Sequence, residues 1–227
     1  MIGIIGAMDI EIENIVRNMK NVKQEKISSV TYFSGELRGK EVVCSVCGIG
    51  KVFSAVCAQT MILRYNPSII INTGIAGSLS DKLCVADTVV AQSLVQHDMD
   101  TTAFGDPKGF INGLGIVNIP CDEELATEIC AVMDKCGVKN VRGVIATGDC
   151  FVADSNIKKE IVDTFGAVAC DMEGASIAQV CYIGGVKCAV MRTISDGADE
   201  GEYEDNKDLT AKKSTEAVMS FVEYYKL

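Results

Sequence analysis

The stretch KVFSAVCAQTMILRYNPSIIINTG (residues 51–74) determines the fold class, because it places a helix-like segment directly before a strand-like one. Residues 51–65 are apolar on almost every face of a helix, which predicts a helix buried all round. Residues 68–74 include a continuous β-branched run, typical of a strand that is covered on both faces. A helix that alternates with such strands indicates an α/β fold.

The same alternation extends along the chain. Strand-like runs are predicted at residues 1–7, 30–37, 41–48, 68–74, 87–96, 141–147, 167–170 and 187–195. Helical segments are predicted at residues 9–20, 51–65, 122–137 and 208–225. The sequence contains no internal repeat, low-complexity tract or linker, so residues 1–227 are predicted to form one domain. That domain is an α/β sandwich around a largely parallel or mixed sheet.

The composition excludes several classes of protein. Hydrophobic residues make up 48% of the 227 positions and only 3 are proline, as in a compact globular protein and not a disordered one. The net charge of −10 and the lack of a basic run argue against a nucleic-acid partner. No apolar run approaches the roughly 18–20 residues that span a bilayer, and the first residues lack a basic leader. We therefore expect a cytoplasmic protein without membrane contact.

Cysteine and histidine usage argues against disulfides and metal sites. The 11 cysteines are odd in number and lie mostly in apolar runs, where cysteine behaves as a small hydrophobic residue. Cys44 and Cys47 form a C-x-x-C within a strand-like run, and His97 is the only histidine. Zinc and redox sites are therefore less favoured than buried thiols, and we expect neither a metal nor a cofactor.

Polar side chains occur where predicted strands end. The segment ACDMEGASIA (169–178) places Asp171 and Glu173 in apolar surroundings, although burying a carboxylate is costly. They either offset the dipole of a helix that begins at Gly174 or have a function. Other such positions are Glu11, the Gly-rich turn INTGIAGS (71–78), and the group Arg192, Ser195 and Asp196.

Each of these residues also has an ordinary interpretation, as a first-turn acid or a turn residue. In α/β folds, however, ligands bind at the carboxyl ends of strands, so the joint placement favours a site. With one histidine in the chain, acid–base chemistry falls to carboxylates, which can protonate a leaving group and activate water. This chemistry suits cleavage of a glycosidic bond. No G-x-S-x-G motif, P-loop or dinucleotide fingerprint competes with it.

Seven motifs occur in the order and spacing of one family. They are GIIGAMDIEIE, GIGKV, IINTGIAGSL, HDMDTTAFG, ATGDCFV, DMEGASIAQVC and RTISDGAD. Over nearly its whole length the chain resembles the 5′-methylthioadenosine/S-adenosylhomocysteine nucleosidases of the nucleoside phosphorylase superfamily. The resemblance implies a three-layer α/β/α sandwich with a central mixed sheet, active as a homodimer. It also implies a hydrolase that releases adenine from these nucleosides and from 5′-deoxyadenosine.

The resemblance implies a role for each residue that matches the family motifs. Glu11 is expected to be the base that activates the attacking water, with Arg192 in the same network. Asp196 is expected to protonate adenine and to be oriented by Ser195. Glu173 is expected to bind the ribose hydroxyls, which gives this buried acid a function.

Further matching residues are expected to shape the pocket. By the same resemblance, Met172 packs against the sugar, Phe151 stacks on adenine, and the backbone of Val152 reads the edge of the base. The pocket for the 5′ substituent is expected to be lined by Met8, Ile49 and Tyr203, with Thr101 and Phe104 contributed by the second subunit.

The sequence departs from the family pattern at a few positions. Asp171 stands where the family more often has Glu, and it is expected behind the sugar site. Ile75 replaces a common Ser, so one hydroxyl near the ribose is absent. In the loop 104–115, Asp106 stands at a position that is commonly Tyr, so we expect a shift in preference toward the polar tail of S-adenosylhomocysteine. Tyr203 lies in a shorter and more acidic segment than usual.

Two alternatives differ from the nucleosidase in class. A purine nucleoside phosphorylase needs cationic residues around a phosphate dianion, whereas this chain offers Asn72 and Ile75 in the Gly-rich turn, and Glu11 would repel the anion. A catalytically inactive nucleoside-binding protein has no need of the complete set of Glu11, Glu173 and Asp196.

Overall fold

The computed structural model describes residues 1–198 and 200–226, in which strands and helices alternate. The strands are β1 (Ile2–Gly6), β2 (Lys20–Ile27), β3 (Val30–Leu37), β4 (Lys40–Val46), β5 (Ile69–Asn72), β6 (Ile75–Ser78), β7 (Thr88–Gln96), β8 (Ile119–Pro120), β9 (Asn140–Thr147), β10 (Ala167–Asp171) and β11 (Lys187–Asp196). The helices are α1 (Asp9–Asn18), α2 (Lys51–Tyr65), α3 (Glu123–Lys135), α4 (Ser155–Phe165), α5 (Gly174–Gly184) and α6 (Glu200–Tyr224). A 3₁₀ turn, Thr102–Phe104, follows β7.

The strands form one mixed sheet in the order β2-β3-β4-β1-β5-β11-β6-β10-β9-β7-β8. Its centre is parallel, since β1 pairs with β4 and β5, and β11 pairs with β5. β11 also pairs antiparallel with β7, which closes β11, β6, β10, β9 and β7 into a ring. The predicted mixed sheet is confirmed, and the ring is a feature that the sequence patterns did not indicate.

Helices cover both faces of the sheet. Helices α2 and α5 pack together on one face, while α1, α3 and α6 pack on the other. Side chains of the central strands alternate between the two cores: Ile5 and Ile70 pack in the first, Ile4 and Ile71 in the second. This alternation explains why these strands are apolar throughout. The three-layer α/β/α sandwich is confirmed.

Helix α2 differs from its prediction. Cys57 and Met61 are fully buried, whereas Val52, Phe53 and Leu63 are 74%, 56% and 78% exposed. The prediction that this helix is buried all round is therefore wrong. An apolar sequence indicates a helix that can be buried. It does not show which sides of that helix pack against the rest of the chain.

The sequence patterns do not predict β2, β6, β8 or α4. β2 is almost entirely exposed and carries charged residues, so it lacks an apolar alternation. β6 lies in the segment that was predicted as a turn. The chain leaves the sheet after Asn72 and re-enters it at Ile75 beside β11, which makes this Gly-rich segment half turn and half strand.

Neither a membrane-spanning helix nor a disulfide occurs in the described part of the chain. No helix there is both long enough and apolar enough to cross a bilayer. All eleven cysteines are free thiols. Cys44 and Cys47 are buried, as predicted, and burial raises the pKa of both thiols. Cys84, Cys136 and Cys150 are exposed instead.

Candidate active site

A cleft opens at the edge of the sheet where β1, β10 and β11 end. Its volume is about 730 Å³ including the open mouth. Most of the predicted site residues line it: Met8, Glu11, Ile49, Ile75, Phe151, Val152, Met172, Glu173, Ser195, Asp196 and Tyr203. The sequence patterns did not single out the small lining residues Ala7, Ala76, Gly77, Cys150 and Cys170. Small residues of this kind resemble ordinary core positions, so no local signal identifies them.

Glu11 is buried in the first turn of α1, directly after β1. Its Oε2 accepts hydrogen bonds from the N–H groups of Ala7 (2.7 Å) and Met8 (3.0 Å), and its Oε1 accepts one from Ile75 (3.0 Å). Burial raises the pKa of Glu11 above its ordinary value, while the charge of Arg192 and the three N–H donors oppose the rise. The carboxylate is thus rigidly held and a stronger base than a solvated one.

Gly74 is required by this carboxylate. A Cβ atom at position 74 would lie 2.5 Å from Oε1 of Glu11, which is closer than real Cβ contacts occur. The glycine between β5 and β6 therefore lets Glu11 reach the N–H of Ile75. This gives the Gly-rich segment a function in the packing of the site.

Glu173 is the residue immediately before α5, and it is buried. Its Oε1 accepts a hydrogen bond of 2.9 Å from the N–H of Gly50, at the start of α2. Burial first, and repulsion from Asp171 second, raise the pKa of Glu173 to about 7, although Arg192 opposes the shift. Glu173 therefore changes its protonation near neutral pH.

Arg192 lies behind the cleft and does not line it. Its Nη2 is 2.6 Å from Oδ2 of Asp171 and 2.7 Å from Oδ1 of Asn72, but 3.9 Å from Oε2 of Glu173. Asp171, which was expected behind the sugar site, lines the cleft as well, and it accepts a hydrogen bond of 2.5 Å from the hydroxyl of Thr147. Arg192 was predicted in the network of Glu11, yet its direct ion pair is with Asp171.

Ser195 and Asp196 end β11 at the wall of the cleft, and both are buried. The Ser195 hydroxyl donates a hydrogen bond of 2.5 Å to Oδ2 of Asp196. A Cβ atom at position 77 would lie 3.1 Å from Oδ1 of Asp196 and 3.2 Å from Cα of Ala198, so Gly77 lets the end of β11 pack closely against β6. Asp196 lines the cleft from this position.

Aromatic and thioether side chains form the outer wall of the cleft. Phe151 follows β9 and is 48% exposed, and its ring lies edge-on to that of Tyr203 at a centroid distance of 5.5 Å. The hydroxyl of Tyr203 is 3.5 Å from Sδ of Met8. The first turns of α6 thus bring Tyr203 to the cleft.

Thr101 and Phe104 lie outside the cleft of their own chain. Phe104 is 87% exposed, whereas the hydroxyl of Thr101 is buried without a hydrogen-bond partner within the described residues. Asp106 does not line the cleft either. Within one chain, therefore, the loop 104–115 does not contribute to the predicted 5′ pocket.

The chemistry of the cleft is that of carboxylates. In residues 1–198 and 200–226, no three His, Cys, Asp or Glu side chains are grouped as a metal site. Glu11, Glu173 and Asp196 line one cleft, and the first two have raised pKa values from burial. Carboxyl groups with different pKa values in one cleft can divide the work, so that one donates a proton as an acid while another accepts a proton as a base.

Comparisons with known proteins agree with this geometry. The family model described as "Phosphorylase superfamily" matches residues 1–224. A 5′-methylthioadenosine/S-adenosylhomocysteine nucleosidase of Shewanella halifaxensis is 39% identical over 199 residues, which cover 87% of this chain and 86% of that protein. A nucleosidase of the same description from Helicobacter pylori, solved with a ligand, has a TM-score of 0.95 at 35% identity, covering 99% of this chain and 98% of the other. A structure of the H. pylori futalosine hydrolase also has a TM-score of 0.95, at 36% identity, covering 99% and 97%.

Proposed function

The chain belongs to the phosphorylase superfamily and, within it, to the 5′-methylthioadenosine/S-adenosylhomocysteine nucleosidases, and from this premise we propose how it works. It is a hydrolase of N-glycosidic bonds. It cleaves 5′-methylthioadenosine and S-adenosylhomocysteine, and 5′-deoxyadenosine as well, to adenine and the ribose product. The observation that carries this proposal is the shared cleft of Glu11, Glu173 and Asp196, with the cation Arg192 held behind it.

Asp196 is the proposed acid of the reaction. Its carboxyl group protonates the purine ring, so that adenine leaves the sugar as a neutral base. Protonation of the leaving group lowers the barrier to an oxocarbenium-like transition state. The short hydrogen bond from Ser195 orients the carboxyl at the wall of the cleft.

Glu11 is the proposed base, which accepts a proton from the attacking water. Its three N–H donors fix the carboxylate, and its raised pKa makes it a better base near neutral pH. The nearby charge of Arg192 favours the ionised form that the reaction requires. Asp171 holds Arg192 in place and does not itself take part in the reaction.

Glu173 is proposed to accept hydrogen bonds from the ribose hydroxyls, since the N–H of Gly50 engages only its Oε1. Met172 packs beneath the sugar. Phe151 stacks on the adenine, and the backbone of Val152 hydrogen-bonds to the edge of the base. Aromatic stacking of this kind suits any purine, so the backbone contact supplies the selectivity.

The 5′ substituent is proposed to lie against an apolar wall. That wall is formed by Met8, Ile49 and Tyr203. A thioether buried against such side chains gains dispersion and hydrophobic energy without needing a hydrogen-bond donor. Ile75 adds apolar surface at a position where the sequence pattern has a hydroxyl in related chains.

Water, and not phosphate, is the proposed nucleophile. The lining of the cleft in the described part of the chain contains no Lys or Arg, and Arg192 is already engaged by Asp171 and Asn72. A dianion placed at about 4 Å from Glu11 would meet a repulsion of about 4 kcal/mol per unit charge at an effective dielectric near 20. A neutral water meets no such repulsion.

Adenine release tests this proposal. We expect purified protein in phosphate-free buffer to release adenine from 5′-methylthioadenosine and from S-adenosylhomocysteine, with free thioribose products. Futalosine, assayed in parallel, shows whether the cleft also accepts the substrate named for the H. pylori hydrolase. Acceleration by phosphate with formation of a sugar 1-phosphate would identify a phosphorylase instead, and binding without cleavage would identify an inactive nucleoside-binding protein.

A homodimer is proposed as the active unit. The exposed face of α2 formed by Val52, Phe53 and Leu63 is an apolar surface of the kind that partners cover. The segment that carries Thr101 and Phe104 is closed by a backbone hydrogen bond of 2.8 Å from the N–H of Gly109 to the carbonyl of Met99, and Lys108 pairs with Glu160 of α4. Anchored in this way, it can present Phe104 to the cleft of a second subunit.

Sedimentation tests the dimer. We expect the wild-type chain to sediment as a dimer at assay concentrations. Phe104→Ala should weaken nucleoside binding by about 2 kcal/mol, the size of effect seen when an aromatic anchor is lost. A fully active monomer would contradict the proposal. The match of one family model to residues 1–224 supports the prediction of a single domain, and a cytoplasmic location stays a prediction.

A further inference from the structure

A cluster of three charged residues, Lys51, Asp98 and Asp149, joins the loops around the mouth of the cleft. None of the three lines the cleft. We propose that Asp98 is a positioning residue. It holds the β4–α2 loop (residues 47–50) and the β9–α4 loop (residues 148–154) together, so that side chains of both loops contact the nucleoside. The inference rests on the proposed function, because it names a further residue on which nucleoside binding depends.

Asp98 bonds to both loops at once. Its Oδ1 is 2.6 Å from Nζ of Lys51, and its Oδ2 accepts a hydrogen bond of 2.9 Å from the N–H of Asp149. Oδ1 of Asp149 in turn accepts a hydrogen bond of 2.8 Å from the N–H of Lys51. The three residues therefore form a closed ring of contacts, and removal of Asp98 breaks two of its three connections.

The two loops need such a connection, because two of the side chains that they bring to the cleft are about half exposed, although Val152 is buried. Ile49 is 55% exposed and Phe151 is 48% exposed. Burial that is this incomplete fixes a side chain weakly. The β4–α2 loop also supplies the N–H of Gly50 that bonds to Glu173. A shift of this loop would therefore also move the hydrogen-bond donor of Glu173, the carboxylate proposed to bind the ribose.

Two side chains of the cluster are partly shielded from water, whereas Asp149 is exposed. The side chains of Lys51 and Asp98 are 20% and 29% exposed. Although burial opposes ionisation, hydrogen bonds from Lys51 and from the N–H of Asp149 hold the pKa of Asp98 below its ordinary value. Lys51 is further fixed by Oε1 of Gln96 at 3.2 Å. Asp98 is therefore ionised at neutral pH and paired.

The opposite end of β7 offers a matched control. Asp87 precedes this strand as Asp98 follows it, and its Oδ2 accepts hydrogen bonds from Nζ of Lys139 (2.5 Å) and from the N–H of Cys84 (2.9 Å). Asp87 thus also bonds to one lysine and one backbone N–H, but it does not contact the loops of the cleft. A purely structural effect of losing such an aspartate appears in Asp87→Ala.

The experiment measures KM and kcat for 5′-methylthioadenosine together with amide hydrogen exchange. In Asp98→Ala we expect KM to rise about tenfold, with kcat changed less than about threefold, because binding contacts are lost more than chemistry. Asp98→Asn, which keeps an acceptor for Asp149, should recover most of the wild-type KM. Asp87→Ala should leave KM unchanged. The amide of Asp149 should exchange about tenfold faster in Asp98→Ala only.

Each other outcome has a definite meaning. Wild-type KM and unchanged exchange in Asp98→Ala would overturn the inference, as would an equal rise of KM in Asp87→Ala. If Asp98→Ala does not fold, Asp98→Ser takes its place, because a serine side chain is too short to bond to both loops. The same rise of KM and of exchange at Asp149 is then expected, and wild-type values in that variant would overturn the inference. Wild-type protein that releases no adenine would refute the proposed function, while the exchange data would still test the connection between the loops.

Discussion

The two ends of β11 carry charged side chains in opposite environments, exposed at the start of the strand and buried at its end. At its start, Lys187 is exposed and lies 3.0 Å from Glu124 and 3.4 Å from Asp122, both of which reach solvent. At its end, Arg192 is 1% exposed and Asp196 is 2% exposed, inside the protein. Only a few apolar residues separate the two ends.

The difference shows what each charge is for. Exposed ion pairs stabilise little, because water and salt screen them. A buried guanidinium is costly unless carboxylates surround it. Replacing a whole buried ion pair by apolar residues is often neutral or stabilising, whereas removing only one of its partners is strongly destabilising. The charges at the carboxyl end of β11 therefore cannot be explained by stability. Their burial agrees with the roles proposed for Arg192 and Asp196 in the cleft.

The largest effect is expected at Asp196. Asp196→Asn keeps the shape but removes the titratable proton, so kcat should fall by about 10²–10⁴-fold. The matched control is Asp122→Asn at the other end, where asparagine still caps α3 by bonding to the N–H of Leu125. Steady-state assays of both variants check this contrast. Near-normal turnover in a folded Asp196→Asn would remove Asp196 from the role of acid.

The next effect concerns stability. Arg192→Met leaves Asp171 without its cation, so the free energy of unfolding should fall by about 3–5 kcal/mol. Urea denaturation at pH 7 measures the change. The comparison between the two ends of β11 fails if this variant is as stable as the wild type at that pH.

The third effect is a pH dependence. The raised pKa of Glu173 means that its contribution to stability is complete below about pH 4.5 and is lost as the pH rises through about 7. Glu173→Gln has no such loss. Between pH 5 and 8 the variant should therefore gain about 2–3 kcal/mol of unfolding free energy relative to the wild type.

Denaturation of Glu173→Gln and wild type across this pH range checks the prediction. A difference in unfolding free energy that does not change with pH would contradict it. The same carboxylate should shape activity, since an ionised Glu173 is the better acceptor for ribose hydroxyls. The kcat/KM of the wild type should thus fall as the pH drops below about 7, the apparent pKa belonging to the coupled carboxylates.

The smallest effect is expected at Lys187. Lys187→Met removes two exposed ion pairs, and we expect no measurable shift in the urea midpoint and no change in kcat or KM. A clear loss of stability that disappears at high salt would show that the exposed end of β11 contributes more than this comparison allows.

The fold was predictable where the two faces of a strand meet two cores, as in β1 and β5, because burial on both sides leaves an apolar run. β2 was not predicted, because an exposed edge strand has no buried face and its sequence therefore lacks alternating apolar residues. The exposure of one apolar face of α2 was not predicted either. Its sequence resembles a buried helix, although part of its surface meets no other part of this chain.

The sequence predicted most of the residues that line the cleft, because most of these lie at strand ends within recognisable motifs. The contacts between them were not predicted, since Gly74 faces Glu11, and Gly50 binds Glu173, across long distances in sequence. Whether Arg192 bonds to Glu11 or to Asp171 depends on how α1, β10 and β11 are placed relative to one another. No local spacing determines that choice, and the same holds for the connection made by Asp98.

The position of β11 in the sheet has a consequence for how the chain folds. Among the strands of residues 1–198 and 200–226, β11 is synthesised last, yet it pairs with β5, β6 and β7. Until residues 187–196 leave the ribosome, those strands present unpaired edges that can template association with other chains. Contacts so distant in sequence also form slowly. The step that completes the sheet is the one that delivers Ser195 and Asp196, so a nascent chain becomes competent to hold a nucleoside only when its sheet is closed.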